Sequence, residues 1–417
     1  MQLIVEPPEL LVWALFVLAI VGLALCWLSD RAVARVLSPQ RRRAPVAGPM
    51  PALSILKPVK GVDDGLRENL LSIAQQDYPL FEVLIGAEDP DDPALAVARE
   101  VAREVAATHP QVKVRIHVCP TDGGLNPKVS ILRRLSILAR HDLVLISDSN
   151  VRARPGYLAA TVGELSGDVG LVSHLVASQG EQNLAAVFEG LHLLTFVARA
   201  MALTSVYLGR PCVVGKSMLL RLSALHRVGG WSLVRDVLAE DYAIGRAFSQ
   251  AGLQVIHAPE VLFTFNRHWP LARFVNRHLR WGQMRRRVCL GAYLCEPLFN
   301  PTALFFLAAM AAVAAADLPG WFLPACALGV ALKFRIDRLL WRRMRGEDAP
   351  ARAMLLALPK DLLVLGLWAV GLVRRTIDWR GNVLLVGPGS RLMRPTGSGL
   401  LGRRRRPADA VDRMEAA

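Results

Sequence analysis

Apolar residues along this chain collect in long runs near both ends and in short, regularly spaced runs between them. Leu10 to Leu28 carries no charge and approaches the roughly 20 residues that a helix needs to cross a bilayer. Ala32-Val33-Ala34 faintly resembles a leader cleavage site. However, Glu6 and Glu9 precede the run without any basic residue, the reverse of a secretory leader. Arg31, Arg35 and Arg41 to Arg43 follow it, which predicts an uncleaved anchor with the next domain on the cytoplasmic side. Pro39 to Pro51 reads as a linker.

From Leu53 to about Gly282 short apolar runs alternate with segments of helical spacing. Ser54–Lys57, Phe81–Gly86, Val112–Ile116 and Asp142–Ser147 read as strands, with helices over Leu66–Gln76, Pro93–Thr108 and Pro127–Ala139 between them. Strands that alternate with helices predict an α/β domain whose mostly parallel sheet is covered on both faces. The last third is apolar again. Leu298–Ala316 and Trp321–Leu332 suggest a hairpin of membrane segments turning at Asp317 to Gly320. Met354–Val373 is interrupted by Pro359-Lys360-Asp361, and a tilted span, a re-entrant piece and an interfacial helix all remain open for it. The expected divisions are an anchor over 1–30, a basic linker over 31–50, the α/β domain over 51–290, membrane segments over 298–375, and a basic tail over 376–417. The tail after Gly387, with Arg403 to Arg406, is expected to be disordered.

Composition agrees with a membrane setting. Hydrophobic residues make up 53% and mean hydropathy is +0.33, too apolar for an ordinary soluble domain. The formal net charge of +15 would suit nucleic acid, but the Arg clusters flank the apolar runs, as at Arg285 to Arg287, Arg342 to Arg345, and Arg374 with Arg375. No nucleic-acid-binding fingerprint competes, so no nucleic-acid partner is expected. The six cysteines form no CxxC pair, which argues against a zinc site or a disulfide framework and for a reduced compartment.

Four acidic or basic clusters carry candidate chemistry. Glu88-Asp89-Pro90-Asp91-Asp92-Pro93 follows the second strand, where ligands of open α/β sheets bind; taken alone it is equally a solvated helix cap. Asp148-Ser149-Asn150 ends the most apolar strand, a position suited to holding a cation against a departing diphosphate, or simply a strand-to-turn Asp. Glu240-Asp241 opens a helix and offers a general base, though acidic residues there also complement the helix dipole. Arg277-His278-Leu279-Arg280-Trp281 offers paired guanidiniums for a diphosphate, or a basic juxtamembrane helix with an aromatic anchor.

Each cluster is ambiguous by itself, but their order resembles the inverting GT-A glycosyltransferases. Three further blocks resemble the ceramide glucosyltransferases, namely Leu56-Lys57-Pro58-Val59-Lys60-Gly61-Val62-Asp63, Asp89-Pro90-Asp91-Asp92-Pro93-Ala94 and Leu125-Asn126-Pro127-Lys128-Val129. The likeness runs from about Pro51 to Trp281, with apolar anchors at both ends. It implies a GT-A α/β domain with N- and C-terminal transmembrane helices, moving a hexose from a UDP-sugar to a lipid with inversion. Asp241 would be the catalytic base. Asp89, Asp92, Lys128, Asp148, Glu240, Arg277, Arg280 and Trp281 would bind the nucleotide-sugar.

A Mg2+ or Mn2+ ion would sit on Asp148 and Asn150, although Asn150 stands where related enzymes often carry a second aspartate. The resemblance implies UDP-glucose and ceramide as substrates. A hopanoid acceptor with UDP-N-acetylglucosamine is the alternative, and a non-catalytic membrane scaffold a more distant one. Arg- and Ala-rich composition suggests a bacterial inner-membrane protein with a cytoplasmic catalytic domain. Gly215-Lys216-Ser217 is expected to form a loop under the donor sugar; a Walker phosphate loop is excluded there because the upstream glycine is missing. Leu191 to Tyr207, apolar on balance, is expected at the membrane face, where acceptor choice would be encoded.

Overall fold

The computed structural model describes residues 7–43, 48–314, 318–379 and 382–395. Glu6, Asp317 of the expected turn and the Arg403 to Arg406 cluster lie outside these residues, as does part of the linker. Eight strands form one sheet in the order β3-β2-β1-β4-β7-β6-β8-β5. β1 (Leu53–Pro58), β2 (Phe81–Ala87), β3 (Lys113–Val118) and β4 (Leu143–Ser147) are mutually parallel. β1, β2 and β4 are buried along their whole length, because helices cover both faces. Alternate residues therefore feed two cores: Ile55, Val83 and Leu145 face one, Leu56, Leu84 and Ile146 the other. Edge strand β3 is only partly buried and alternates in polarity as its position demands.

The second half of the sheet comprises β5 (Val151–Arg152), β6 (Val169–Gln179), β7 (Ser217–Arg221) and β8 (Gln254–Phe265). β7 runs antiparallel to β4 with Ser147 opposite Ser217, so Asp148 and Lys216 meet just beyond the paired residues. The helices that begin at this end are capped by their own sequence. Asp92 accepts from Ala94 N–H, Asn126 from Val129 N–H and Asn183 from Ala186 N–H, the first two followed by a proline in the first turn.

Among the described residues three helical stretches are long and apolar enough to cross a membrane, Glu9–Val36, Leu184–Tyr207 and Ala351–Val373. The first and third expose most of their apolar surface, which marks a membrane-associated protein. The N-terminal helix runs over Pro7–Val36, beyond the expected 1–30 anchor, because Asp30 near its end is paired inside the protein. Trp13 and Phe16 on it pack with Phe305 of the helix Pro301–Ala314, Phe322 of the helix Phe322–Arg345 and Trp321 just before the latter. The latter continues past the expected Leu332 end, since the charges of Lys333 and Asp337 are matched by each other and by Arg199. Leu184–Tyr207, π-helical over Leu193–Ala198, is almost wholly enclosed by protein and does not lie at a membrane face. Glu189, His192, Thr195 and Arg199 are buried along it.

The segment assigned to a basic tail is not all irregular. β9 (Thr376–Trp379), β10 (Asn382–Val386) and β11 (Leu392–Met393) form a separate antiparallel sheet. Its Ile377, Leu384, Val386 and Leu392 pack on Leu238, and Leu392 N–H donates to Asp236 O at 2.7 Å. A small apolar face paired with the α/β domain supplies the burial that composition alone did not suggest.

Candidate active site

The C-terminal ends of the parallel strands meet the start of β7 and of the helix Glu240–Gln250, forming the cleft where such sheets bind ligands. At its floor Lys128 Nζ lies 2.9 Å from Asp148 Oδ1, 2.9 Å from Glu240 Oε1 and 3.2 Å from Gly215 O. Lys216 Nζ takes the other Asp148 oxygen at 3.0 Å and Asn150 Oδ1 at 2.8 Å. Lys57, fully buried beneath, donates to Asp148 O at 2.7 Å and to Ser147 Oγ at 3.3 Å. Burial opposes charge at every one of these groups, and the outcome depends on the partners. Against burial, the Lys128 and Lys216 ammoniums hold the Asp148 carboxyl well below the usual carboxylate range. Likewise the surrounding carboxylates, Asp148 foremost, raise Lys128 despite its burial. Lys57 has weaker compensation, and burial brings it down to about 7.

Asp241 stands next to this cluster. Its Oδ2 accepts from Gly215 N–H at 2.5 Å and its Oδ1 from its own neighbour Tyr242 N–H at 2.8 Å. Burial first, and the Glu240 carboxylate second, push its carboxyl up to about 7, while Lys128 and the two N–H donors work in the opposite direction. A carboxyl with that value exchanges a proton near neutral pH, as a general base must. Asn126 fixes the neighbourhood: besides capping the helix that carries Lys128, its Nδ2 donates to Val237 O at 2.7 Å and to Glu240 Oε2 at 3.4 Å.

The basic helix Leu271–Val288 borders the cleft. Arg277 lies between two indoles, 5.1 Å from the Trp269 ring centre and 4.3 Å from that of Trp281, and its Nε is 3.4 Å from Glu189 Oε1. His278 Nε2 is 2.6 Å from Glu189 Oε2, a buried pair to which no sequence signal pointed. Arg280 lies over the Trp379 ring of the small C-terminal sheet. Thus Lys128, Asp148, Asn150, Glu240 and Asp241 converge, while Arg277, Arg280 and Trp281 form the flanking wall.

Asp89 and Asp92 take a different place. Asp92 accepts from Ala94 N–H as a helix cap, and both its oxygens accept from Gly61 N–H, at 2.9 and 3.1 Å. Asp89 is exposed and closes a local turn by accepting from Asp91 N–H. Lys57 and Lys216 belong to the cluster without having been singled out as binding residues. Lys57 stands alone among the apolar residues of β1 and Lys216 just before apolar β7, positions that were the signal, since a lysine is seldom buried unpaired.

A divalent ion makes a specific demand on such a cluster. Such an ion takes oxygen ligands at about 2.0 to 2.6 Å. Here both oxygens of Asp148 and the side-chain oxygen of Asn150 accept from ammonium groups, and Lys128 occupies the point between Asp148 and Glu240. Among the described residues no three His, Cys, Asp or Glu side chains are placed to hold a metal. As arranged, these residues do not fit a dication.

The fold is that of a solved GT-A enzyme. The mannosyltransferase PcManGT of Pyrobaculum calidifontis, in complex with GDP-Man and Mn2+, superposes with a TM-score of 0.52 over 84% of this chain and 99% of its own, at 20% identity. Ceramide glucosyltransferase 1 of Caenorhabditis elegans is 30% identical over 251 residues, 60% of this chain and 53% of that protein. Ceramide glucosyltransferase 3 of the same organism is 26% identical over 353 residues, 83% of this chain and 75% of its own. The chain thus spans about half the length of the first relative and three quarters of the second. With residues 11–392 matching the family as a whole, from the N-terminal helix to the last strand that packs on Leu238, the chain belongs to glycosyl transferase family 21.

Proposed function

We propose that this protein is a membrane glycosyltransferase that moves glucose from UDP-glucose to ceramide with inversion. The observation that carries the reading is Asp241, a carboxylate held by two backbone N–H groups beside the Lys128–Asp148 cluster, with a pKa near neutrality. The names of the two nematode relatives support glucose as the transferred sugar and ceramide as the acceptor.

In the proposed reaction the Asp241 carboxylate accepts the proton of a lipid hydroxyl as that oxygen attacks the anomeric carbon. The C1–O bond to the diphosphate breaks on the opposite side, and its electron pair stays with the departing UDP. Arg277, fixed between two tryptophans, sits where a diphosphate can be met by a planar cation, with Arg280 on the same helix. Asp89 is suited to the nucleoside end, whereas Asp92 acts through the Gly61 turn that it ties down. The solved mannosyltransferase carries Mn2+. In this chain Asp148 and Asn150 hold ammonium groups in place of such an ion.

Arg35, Arg41 to Arg43 and Arg342 to Arg345 next to the apolar helices support a cytoplasmic catalytic domain on an inner membrane. The test is a donor–acceptor screen on the detergent-purified protein, following UDP release and product mass. UDP-glucose, UDP-galactose and UDP-N-acetylglucosamine are offered with ceramide and with a hopanoid polyol. Hexosyl-ceramide is expected. An N-acetylhexosaminyl hopanoid would replace the substrate pair, and UDP binding without any product would leave the acceptor open and revive the scaffold reading.

A further inference from the structure

We propose that Lys128 and Lys216 do the work of a divalent ion in this protein, receiving the donor's diphosphate and offsetting the charge that builds on the departing nucleoside diphosphate. The inference rests on the nucleotide-sugar reading above and adds to it the means of leaving-group stabilisation.

The demand is set by the reaction. When the C1–O bond breaks, the electron pair passes to the β-phosphate oxygen, which gains one negative charge. The acceptor oxygen bonds to C1, and the hydroxyl proton goes to Asp241. A cation fixed in place before the bond breaks stabilises this charge without reorganising. In the cleft those fixed cations are ammonium groups. Lys128 Nζ is held by Asp148, Glu240 and the Gly215 carbonyl, and Lys216 Nζ by Asp148 and Asn150. An ammonium has three N–H donors, so these contacts leave one free on Lys216 and use all three on Lys128, which acts on the diphosphate through its fixed charge. Asp148 serves as the anchor that aims both.

The sequence matches this assignment. An amide at Asn150 removes one negative charge from the motif that would hold a dication, and its oxygen accepts from Lys216 instead. One carboxylate with two lysines beside it makes a weak dication site and favours monovalent ammonium partners. Lys57 binds the Asp148 carbonyl from below and is completely buried, so it is a positioning residue that fixes the turn. Register explains why Lys216 arrives here: β7 runs antiparallel to β4 and delivers it opposite Asp148.

Calorimetric binding of UDP and of uridine to the full chain in detergent micelles, in EDTA and then with Mg2+ or Mn2+, tests the proposal. UDP affinity is expected to change by less than about threefold between the two conditions, with turnover persisting in EDTA. Lys128→Met and Lys216→Met should each weaken UDP by about tenfold or more while leaving uridine within about threefold. A tenfold or greater loss of UDP affinity in EDTA, restored by either metal, overturns the proposal. So does a variant that weakens uridine and UDP alike, because the lysine would then act on the fold and not on the phosphates. UDP binding under neither condition overturns the nucleotide-sugar reading itself, and this inference with it.

Discussion

Gly215 N–H donates to Asp241 Oδ2 at 2.5 Å, and the same glycine's carbonyl accepts from Lys128 Nζ at 3.2 Å. One residue thus holds the proposed base and the neighbouring cation together. A Cβ placed on Gly215 would lie 2.9 Å from Lys128 Nζ and 3.1 Å from Asp241 Oδ2, closer than side chains ordinarily approach. Gly215→Ala should therefore shift both groups by a few tenths of an ångström while leaving the sheet intact. Steady-state kinetics should show kcat lowered by about tenfold, in line with the sensitivity of catalysis to small misplacements. An unchanged kcat would mean that neither group is as tightly placed as these contacts require.

Asp241 makes a pH prediction whose sign is fixed by its role. The group acts as the base only when ionised, and its pKa lies at about 7. Below that value kcat/KM should fall by about tenfold per pH unit, and above it the profile should level off. The charged and titratable groups around it are Glu240, Lys128 and Cys212. Glu240→Gln removes the repelling carboxylate, so the acidic limb should move to lower pH. Asp241→Asn should abolish turnover across the range, with the fold kept. A limb that stays in place in Glu240→Gln would assign the titration to another group.

The strands and helices of the α/β domain were legible because their burial patterns are local consequences of position. Val83, Leu84 and Ile85 are all apolar because β2 has a core on each side, and the Asp92 and Asn126 caps stand at the helix starts their residue types favour. Asp148, Lys128 and Asp241 were identified by resemblance to a family, and the fold brings all three into one cleft. What could not be read was pairing across long separations. Lys216 approaches Asp148 only because β7 is antiparallel to β4, and Glu189 meets His278 across 89 residues. Likewise Leu184–Tyr207 is apolar enough for a membrane, yet it is enclosed, because Arg199 and Glu189 find partners on three other helices only after folding.

Arg199 supplies the strongest stability prediction. Its fully buried guanidinium binds Asp30 of the N-terminal helix at 2.7 Å and Asp337 of Phe322–Arg345 at 2.8 Å. Lys333 also binds Asp337, whereas Asp30 has Arg199 as its ion-pair partner. Arg199→Met would leave the Asp30 charge enclosed without a counter-ion, a loss of about 3 to 5 kcal/mol by comparison with other broken buried pairs. Adding Asp30→Asn should recover part of it, since the orphaned charge is then removed as well. Unfolding of the three proteins in the same micelles measures this. Equal losses in the single and double variants would show that packing, and not charge, sets the cost.

The small C-terminal sheet gives the last prediction, because it grips the segment that leads into Glu240 and Asp241. Ser390 O accepts from Leu238 N–H at 2.9 Å, and Ser390 Oγ accepts from the buried Ala239 N–H at 3.2 Å. Ser390 itself has φ +59, a left-handed conformation that costs a non-glycine residue about 1 to 2 kcal/mol. Ser390→Ala keeps that cost and removes the acceptor, so it should lower stability by about 1 to 3 kcal/mol. Ser390→Gly loses the same acceptor but relieves the backbone, and its stability should stay within about 1 kcal/mol of the parent. If the hydrogen bond steadies the approach to Asp241, both variants should lose kcat to a similar extent even though their stabilities diverge. Activity that follows stability instead would make the C-terminal sheet a brace for the fold alone.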